Sequence, residues 1–106
     1  MNRSLLERYN SDVEFPDVSG AEVLHMLVVR DALEEQSSAL TQAQRRTLRA
    51  ADEALLRNAP AFWEALAPLV DLERERQQRA TPRQRWWWFL DVLAHAPYTS
   101  PASVAA

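Results

Sequence analysis

The eight residues that begin at Trp86 constrain the fold more than any other stretch, because they concentrate the chain's large apolar side chains: they read Trp-Trp-Trp-Phe-Leu-Asp-Val-Leu. In a helix with about 100° between successive residues, Trp86, Phe89 and Leu93 lie on one face, at the spacing of a core-facing stripe. Trp87 and Trp88 project from the two flanks of that face. The predicted helix therefore presents more apolar surface than one neighbouring helix can cover.

Leaving this surface in water is costly for a small protein. A tryptophan side chain buries roughly 150–250 Å², which at about 25 cal/mol per Å² corresponds to roughly 4–6 kcal/mol of gross driving force. A whole domain has a net stability of only about 5–15 kcal/mol. We therefore expect a partner to cover part of the helix, with Trp87, Trp88 and Asp91 on the contact surface. The alternative is that the amino-terminal helices enclose the tryptophans within one monomer.

The composition indicates a single all-α domain. The chain has 106 residues, of which 47% are hydrophobic and 25% are charged, as in ordinary globular domains. It contains one glycine, Gly20, which leaves few of the tight turns on which hairpins depend, and its middle part is rich in helix formers. We expect one helical domain over residues 1–97 and a tail of small residues over 98–106.

The same composition bears on where the protein works. The chain has no cysteine, so it has neither a disulfide nor a thiolate metal site. No apolar run reaches the roughly 18–20 residues of a membrane-spanning helix, and no charged-then-apolar signal segment is apparent at the amino terminus. We therefore expect a cytoplasmic protein that does not bind membranes.

Four short patterns mark helix starts. Each has the spacing of a capping box, in which a serine or threonine and the glutamate or glutamine three residues later satisfy free amides of the first turn. The patterns begin at Ser4, Ser19, Thr41 and Thr81. With the apolar periodicity, they predict a compact bundle of four main helices over about residues 21–38, 42–58, 60–79 and 82–96, the third kinked or broken at Pro68.

A short helix and an arm precede this bundle. The first capping pattern predicts a helix that ends near Asn10. From Ser11 to Val18 the chain alternates apolar and acidic residues and contains a proline, which a helix cannot pass without strain. We predict an extended connection there, with the side chains of Val13 and Phe15 entering the core.

Charged residues are unevenly distributed, although the net charge of the chain is only −3. Residues 1–40 carry three arginines and eight acidic residues, whereas residues 74–85 carry five arginines and one glutamate. An acidic half and a basic segment can attract each other, either within one chain or between two chains.

The basic segment also suggests the alternative function. Its arginines directly precede the tryptophans, a composition typical of surfaces that contact a nucleic-acid backbone and stack on bases. They are Arg74, Arg76, Arg79, Arg83 and Arg85. A pI near 5.3 and so few aligned positive charges argue against this function, so a small nucleic-acid-binding regulator is the second hypothesis.

Two pairs of residues have the spacing of metal ligands. Glu22 and His25 match the Glu-x-x-His motif of di-iron bundles, but the other histidine, His95, is preceded at that spacing by Val92. Asp91 and His95 are four residues apart, which suits either half of a zinc site or an ion pair near a helix end. Since neither pair completes a ligand set, we expect no metal and no cofactor.

No catalytic motif accompanies these pairs. The chain lacks a glycine-rich phosphate loop, a nucleophile elbow and a zinc-protease helix. We therefore interpret it as a non-enzymatic protein–protein interaction or adaptor module. It would associate with itself through the tryptophan-rich helix or bind another protein, and a two-fold homodimer is the commonest arrangement for self-association.

Overall fold

Side-chain caps determine where the first helices begin in the computed structural model, which describes residues 4–95. Ser4 and Ser19 each accept a hydrogen bond from the amide three residues ahead, at 3.1 and 3.2 Å. Thr41 and Gln44 form a complete capping box, in which the Gln44 side chain accepts from the Thr41 amide at 2.8 Å and Thr41 accepts from the Gln44 amide at 3.1 Å. These three predicted helix starts are confirmed.

The described part of the chain is all-helical, as predicted, with six α-helices, two 3₁₀ helices and no strand. The α-helices are α1 (Leu5–Asp12), α2 (Gly20–Glu35), α3 (Gln42–Arg57), α4 (Ala59–Leu66), α5 (Leu72–Arg79) and α6 (Leu90–Leu93). The 3₁₀ helices are Ser37–Ala39 and Trp86–Phe89, and the second is named the tryptophan turn below. No helix within residues 4–95 is long and apolar enough to cross a membrane. The predicted tail over 98–106 lies outside the described residues.

The core lies where α1 and α4 pack against the two long helices. α1 contacts α2 and α3, and α4 contacts the same two helices as well as α6. The tryptophan turn contacts both α2 and α5. The largest fully buried side chains include Tyr9, Met26, Leu27, Leu55, Phe62, Trp87 and Trp88. The Cα radius of gyration, 13.8 Å, is close to the value of about 13 Å for a compact chain of this length.

The helices are shorter and more numerous than in the predicted bundle of four. α2 and α3 have 16 residues each, but the predicted helix over 60–79 is two helices of eight residues. Pro68 lies in the turn between them, because a proline has no backbone N–H to donate to a continuous helix and its ring clashes with the preceding turn. Asp71 then caps α5 by accepting a hydrogen bond from the Arg74 amide at 3.2 Å.

The predicted helix over residues 82–96 is wrong. α5 ends at Arg79, its C-cap Ala80 has a left-handed φ of 49°, and residues 81–85 do not form a capped helical turn. The tryptophan turn follows, and α6 adds a single turn of four residues. A helix cap is worth about 1 kcal/mol, whereas burying an indole is worth several times as much. The burial of Trp87 and Trp88 therefore overrides the local capping signal.

The connection between α1 and α2 turns its aromatic residue outward. Val13 is fully buried, as predicted, and its carbonyl oxygen accepts a hydrogen bond from the Asn58 side chain at 2.8 Å. The Phe15 amide donates back to the carbonyl oxygen of Asp12 at 3.2 Å, so the chain reverses just before Phe15. The Phe15 side chain is 65% exposed. The prediction that it enters the core is therefore wrong.

Candidate functional site

Trp87 and Trp88 are buried completely within the chain, each with 0% of its surface exposed. Their indole nitrogens both donate to Asp31 Oδ1, each at 2.8 Å. Arg85 Nη1 lies 3.3 Å from the same oxygen and balances its charge. This burial corrects the prediction that the two tryptophans lie on a contact surface, because a single carboxylate on α2 satisfies both indoles inside the monomer.

Arg30 is the buried charge of the core, with 5% of its surface exposed. Its Nε and Nη2 donate to the two carboxylate oxygens of Asp52 at 2.9 and 3.0 Å, and the Tyr9 hydroxyl donates to Asp52 Oδ1 at 2.6 Å. The guanidinium carbon lies 4.1 Å from the ring centroid of Trp87. Burial would lower the pKa of Arg30, but the hydrogen bonds and charge of Asp52 outweigh burial and raise it. Burial and the Asp52 charge together raise the pKa of Tyr9.

Asp91, the third residue of the predicted contact surface, is bound by an arginine of the same chain. Arg76 donates to both carboxylate oxygens of Asp91, at 2.7 and 3.1 Å, and to the carbonyl oxygen of Trp88 at 3.0 Å. Burial would raise the pKa of Asp91, but the hydrogen bonds and charge of Arg76 outweigh burial and lower it. The Arg76–Asp91 pair thus ties α5 to α6 and to the tryptophan turn.

Three of the five arginines of the predicted nucleic-acid surface are paired within the chain. Arg76 and Arg85 bind the carboxylates described above, and Arg79 lies 3.3 Å from a carboxylate oxygen of its own helix. Arg74 and Arg83 are exposed and make no ion pair with the described residues. Most of the positive charge of this segment is therefore already balanced, which weakens the case for a nucleic-acid surface there.

The two pairs with metal-ligand spacing remain incomplete. Glu22 and His25 are exposed on α2. His95 Nδ1 lies 2.7 Å from the backbone oxygen of Asp91, so the ring does not pair with the carboxylate, which Arg76 binds. Within residues 4–95, no three histidine, aspartate or glutamate side chains are grouped so that they could hold a metal ion.

The large apolar side chains that the described residues leave exposed lie outside the tryptophan turn. They are Phe15, Val28, Leu69 and Val92, and Phe15 is the most exposed of them. It follows the first helix in a connection that also contains a proline and two acidic residues. The exposed aromatic side chain of this region of the surface is therefore Phe15, whereas Trp87 and Trp88 are buried.

Phe15 lines a cleft of about 320 Å³ between α1 and α2. Val18 joins it in the wall, and the buried side chains of Val23, Met26 and Phe62 provide an apolar floor. A volume of this order is at the lower end of the range for ligand pockets and holds a large apolar side chain. This feature is named the Phe15 cleft.

The rim of the Phe15 cleft is polar and carries both signs of charge. Arg8 and Asp12 come from α1, and Glu22 and His25 come from α2. Apolar clefts with a few polar groups around them are typical of binding sites. The chain matches no protein-family model, no curated protein and no solved structure.

Proposed function

We propose that the protein is a non-enzymatic protein–protein interaction module and that the Phe15 cleft is its docking site. The observation that carries this proposal is an exposed aromatic side chain beside an apolar cleft on the same surface. A phenylalanine side chain gains about 1.5–3 kcal/mol when it is buried, and a bound partner would recover that energy. Contiguous apolar surface with a polar rim is typical of protein interaction sites and ligand-binding grooves.

The outer face of α2 extends the docking surface beyond the cleft. Ala21, His25, Val28 and Ala32 have the i, i+4, i+7, i+11 spacing of one helix face, and each is at least partly exposed. None of these four residues is an acid, a lysine or an arginine. This α2 strip spans about 16 Å at 1.5 Å per residue. Because Ala21 and His25 also line the cleft, the strip and the cleft form one continuous surface.

Site-specific photo-crosslinking in the producing cell tests the proposal. p-Benzoylphenylalanine replaces Phe15, a conservative aromatic exchange at an exposed position, and the matched control carries it in place of Gln78, which is exposed on α5. We expect a discrete crosslinked protein from position 15 and none from position 78.

Two substitutions on the α2 strip show whether the crosslink depends on this surface. Ala21→Glu and Val28→Glu each add a charge at an exposed position, so the Tm should change little while the crosslink from position 15 falls at least about fivefold. The proposal would be contradicted if position 15 gave no crosslink or if both positions gave the same products. It would also be contradicted if neither substitution lowered the crosslink yield from position 15.

A further inference from the structure

We infer that the segment bound by the Phe15 cleft is a basic amphipathic helix of a partner protein. This inference rests on the proposed docking function and adds the chemistry of the partner to it. It depends on the shape of the docking surface and on the charges around it, which are independent observations.

The shape of the surface favours a helix as the bound segment. The described residues contain no strand, so there is no sheet edge that a partner strand could extend. The backbone of α2 is helical throughout, and its outer face offers a partner only side chains. A second helix laid along the α2 strip can place one apolar side chain in the cleft and others one and two turns away, as in helix-in-groove recognition.

Most of the charged side chains around the surface are acidic. Glu14 and Asp17 flank Phe15 and Val18 in the chain, Glu22 lies on the cleft rim, and all three acids are exposed without an ion pair in the described part of the chain. Glu64 of helix α4 adds a further acid beside them.

A second hollow adjoins the Phe15 cleft and adds to this charge. The two hollows share Val18, and the second is lined by Asp17 and by Glu64 of α4, which is also exposed and makes no ion pair with described residues. Among the described residues that line either hollow, Arg8 is the one arginine. The acids Glu14, Asp17, Glu22 and Glu64 are named the acidic collar.

The acidic collar selects against a second copy in two-fold contact through this surface. A two-fold axis places the same patch of both chains face to face, so the two collars would oppose each other. Like charges brought together across an interface disfavour the complex, whereas complementary charges speed association and select the partner. A helix with lysine or arginine beside its apolar stripe meets the collar with the opposite sign.

Selection from a peptide library tests the inference with peptides alone, before any partner protein has been isolated. A displayed library of helical peptides of about four turns carries a fixed apolar stripe and randomised flanking positions, and it is selected on the full chain at about 50 mM salt. Parallel selection on Phe15→Ser identifies the sequences that need the cleft. We expect the cleft-dependent sequences to be enriched in lysine and arginine at the flanking positions.

Neutralising the collar then measures its contribution. For a selected basic peptide, we expect Asp17→Asn/Glu22→Gln to weaken binding about fivefold or more at low salt and by less than about twofold at 0.5 M salt. The double variant Glu53→Gln/Glu73→Gln removes the same charge from α3 and α5 and should leave the affinity unchanged.

The outcomes separate the two proposals. Cleft-dependent peptides that are neutral or acidic would overturn the basic-helix inference and leave the docking function standing. If no selected peptide depends on Phe15, both proposals fail. Concentration-dependent assembly in light scattering that Phe15→Ser abolishes would show that a second copy occupies the cleft, and it would overturn the inference of a separate basic partner.

Discussion

Asp31 Oδ1 lies 2.8 Å from the indole nitrogen of Trp88, a residue 57 positions farther along the chain, and it accepts the indole hydrogen of Trp87 at the same distance. One oxygen on α2 therefore satisfies the polar atoms of two adjacent, fully buried rings. Within the described residues, no buried side-chain nitrogen or oxygen lacks a partner. This contact explains how two of the three consecutive tryptophans, Trp87 and Trp88, can be buried without a second chain.

Removing the Asp31 carboxylate should destabilise the protein strongly. Asp31→Ala leaves both buried indole N–H groups without an acceptor, and each unsatisfied group costs about 1–3 kcal/mol, so we expect a loss of about 2–5 kcal/mol in the free energy of unfolding. Asp31→Asn keeps an oxygen acceptor and should cost less. Urea denaturation followed by tryptophan fluorescence measures both variants.

Glu35, one turn along α2 from Asp31, provides the matched control. Glu35 lies 3.8 Å from the other terminal nitrogen of Arg85 and is largely exposed, so Glu35→Gln should cost less than about 0.5 kcal/mol. If Asp31→Ala is no more destabilising than Glu35→Gln, the shared carboxylate does not hold the tryptophan turn in place.

The buried pair of Arg30 and Asp52 should show strong coupling. Asp52→Ala leaves the guanidinium of a 5% exposed arginine without its bidentate partner, which typically costs about 3–5 kcal/mol. Arg30→Met/Asp52→Ala removes the charge as well and should be more stable than Asp52→Ala alone. Glu34→Ala removes only the 3.3 Å contact between Arg30 and the half-exposed Glu34 carboxylate, so it should cost less than about 1 kcal/mol.

A double-mutant cycle from denaturant titrations tests this coupling. Destabilisations that simply add between Arg30→Met and Asp52→Ala would contradict it. Additivity would mean that Arg30 stabilises the core through its stacking on Trp87, which lies 4.1 Å away, and not through its charge.

The predictable parts of the fold are those that depend on residues close together in the chain. A cap and the amide it binds are three residues apart, so the starts of the helices after Ser4, Ser19 and Thr41 follow from local patterns. The conformation of Trp86–Phe89 does not, because it depends on Asp31, more than 50 residues upstream. Local capping at Thr81 predicted a helix there, and long-range burial prevented it.

The candidate site shows the same division between local and long-range causes. The apolar character of Phe15 is evident from the sequence, but the direction of its side chain is not. That direction depends on the turn before Phe15, where the Val13 carbonyl oxygen accepts a hydrogen bond from Asn58, 45 residues away. The apolar surface around the tryptophans does need cover, but the prediction that a partner covers Trp87 and Trp88 is wrong. The chain itself supplies that cover, in part by stacking Arg79 on Trp88, with the guanidinium carbon 4.4 Å from the ring centroid.

Gly20 should not tolerate even the smallest side chain. A Cβ built on Gly20 would lie 2.6 Å from the carbonyl oxygen of Ala65 and 3.3 Å from the side chain of Leu69. The Ala65 carbonyl belongs to the backbone of α4, so α2 and α4 would have to move apart, at a cost of about 1–3 kcal/mol. The higher helix propensity of alanine returns at most about 1 kcal/mol. We expect Gly20→Ala to lower the Tm, and a higher Tm would contradict the close approach of the two helices.

The Asp91 carboxylate should give the stability of the protein a dependence on acid pH. Arg76 holds the pKa of Asp91 below its ordinary value despite the opposing effect of burial. As the pH falls below about 4, the unfolded chain therefore binds a proton at this position before the folded chain does. The contribution of Asp91 is fully present above that pH and is lost as the pH falls through the pKa of the folded state.

Comparison with Asp91→Asn isolates this effect from the other carboxylates. At neutral pH the variant loses the charge-assisted hydrogen bonds from Arg76 and should be less stable by about 1–2 kcal/mol. That difference should shrink as the pH falls below about 4, because wild-type Asp91 becomes protonated as the pH falls through its lowered folded-state pKa and the asparagine does not titrate. Arg76→Gln should lose the same pH-dependent difference, since Asp91 then has no cation to bind. A wild-type advantage that does not change with pH across the acid range would show that Asp91 acts through packing and not through its charge.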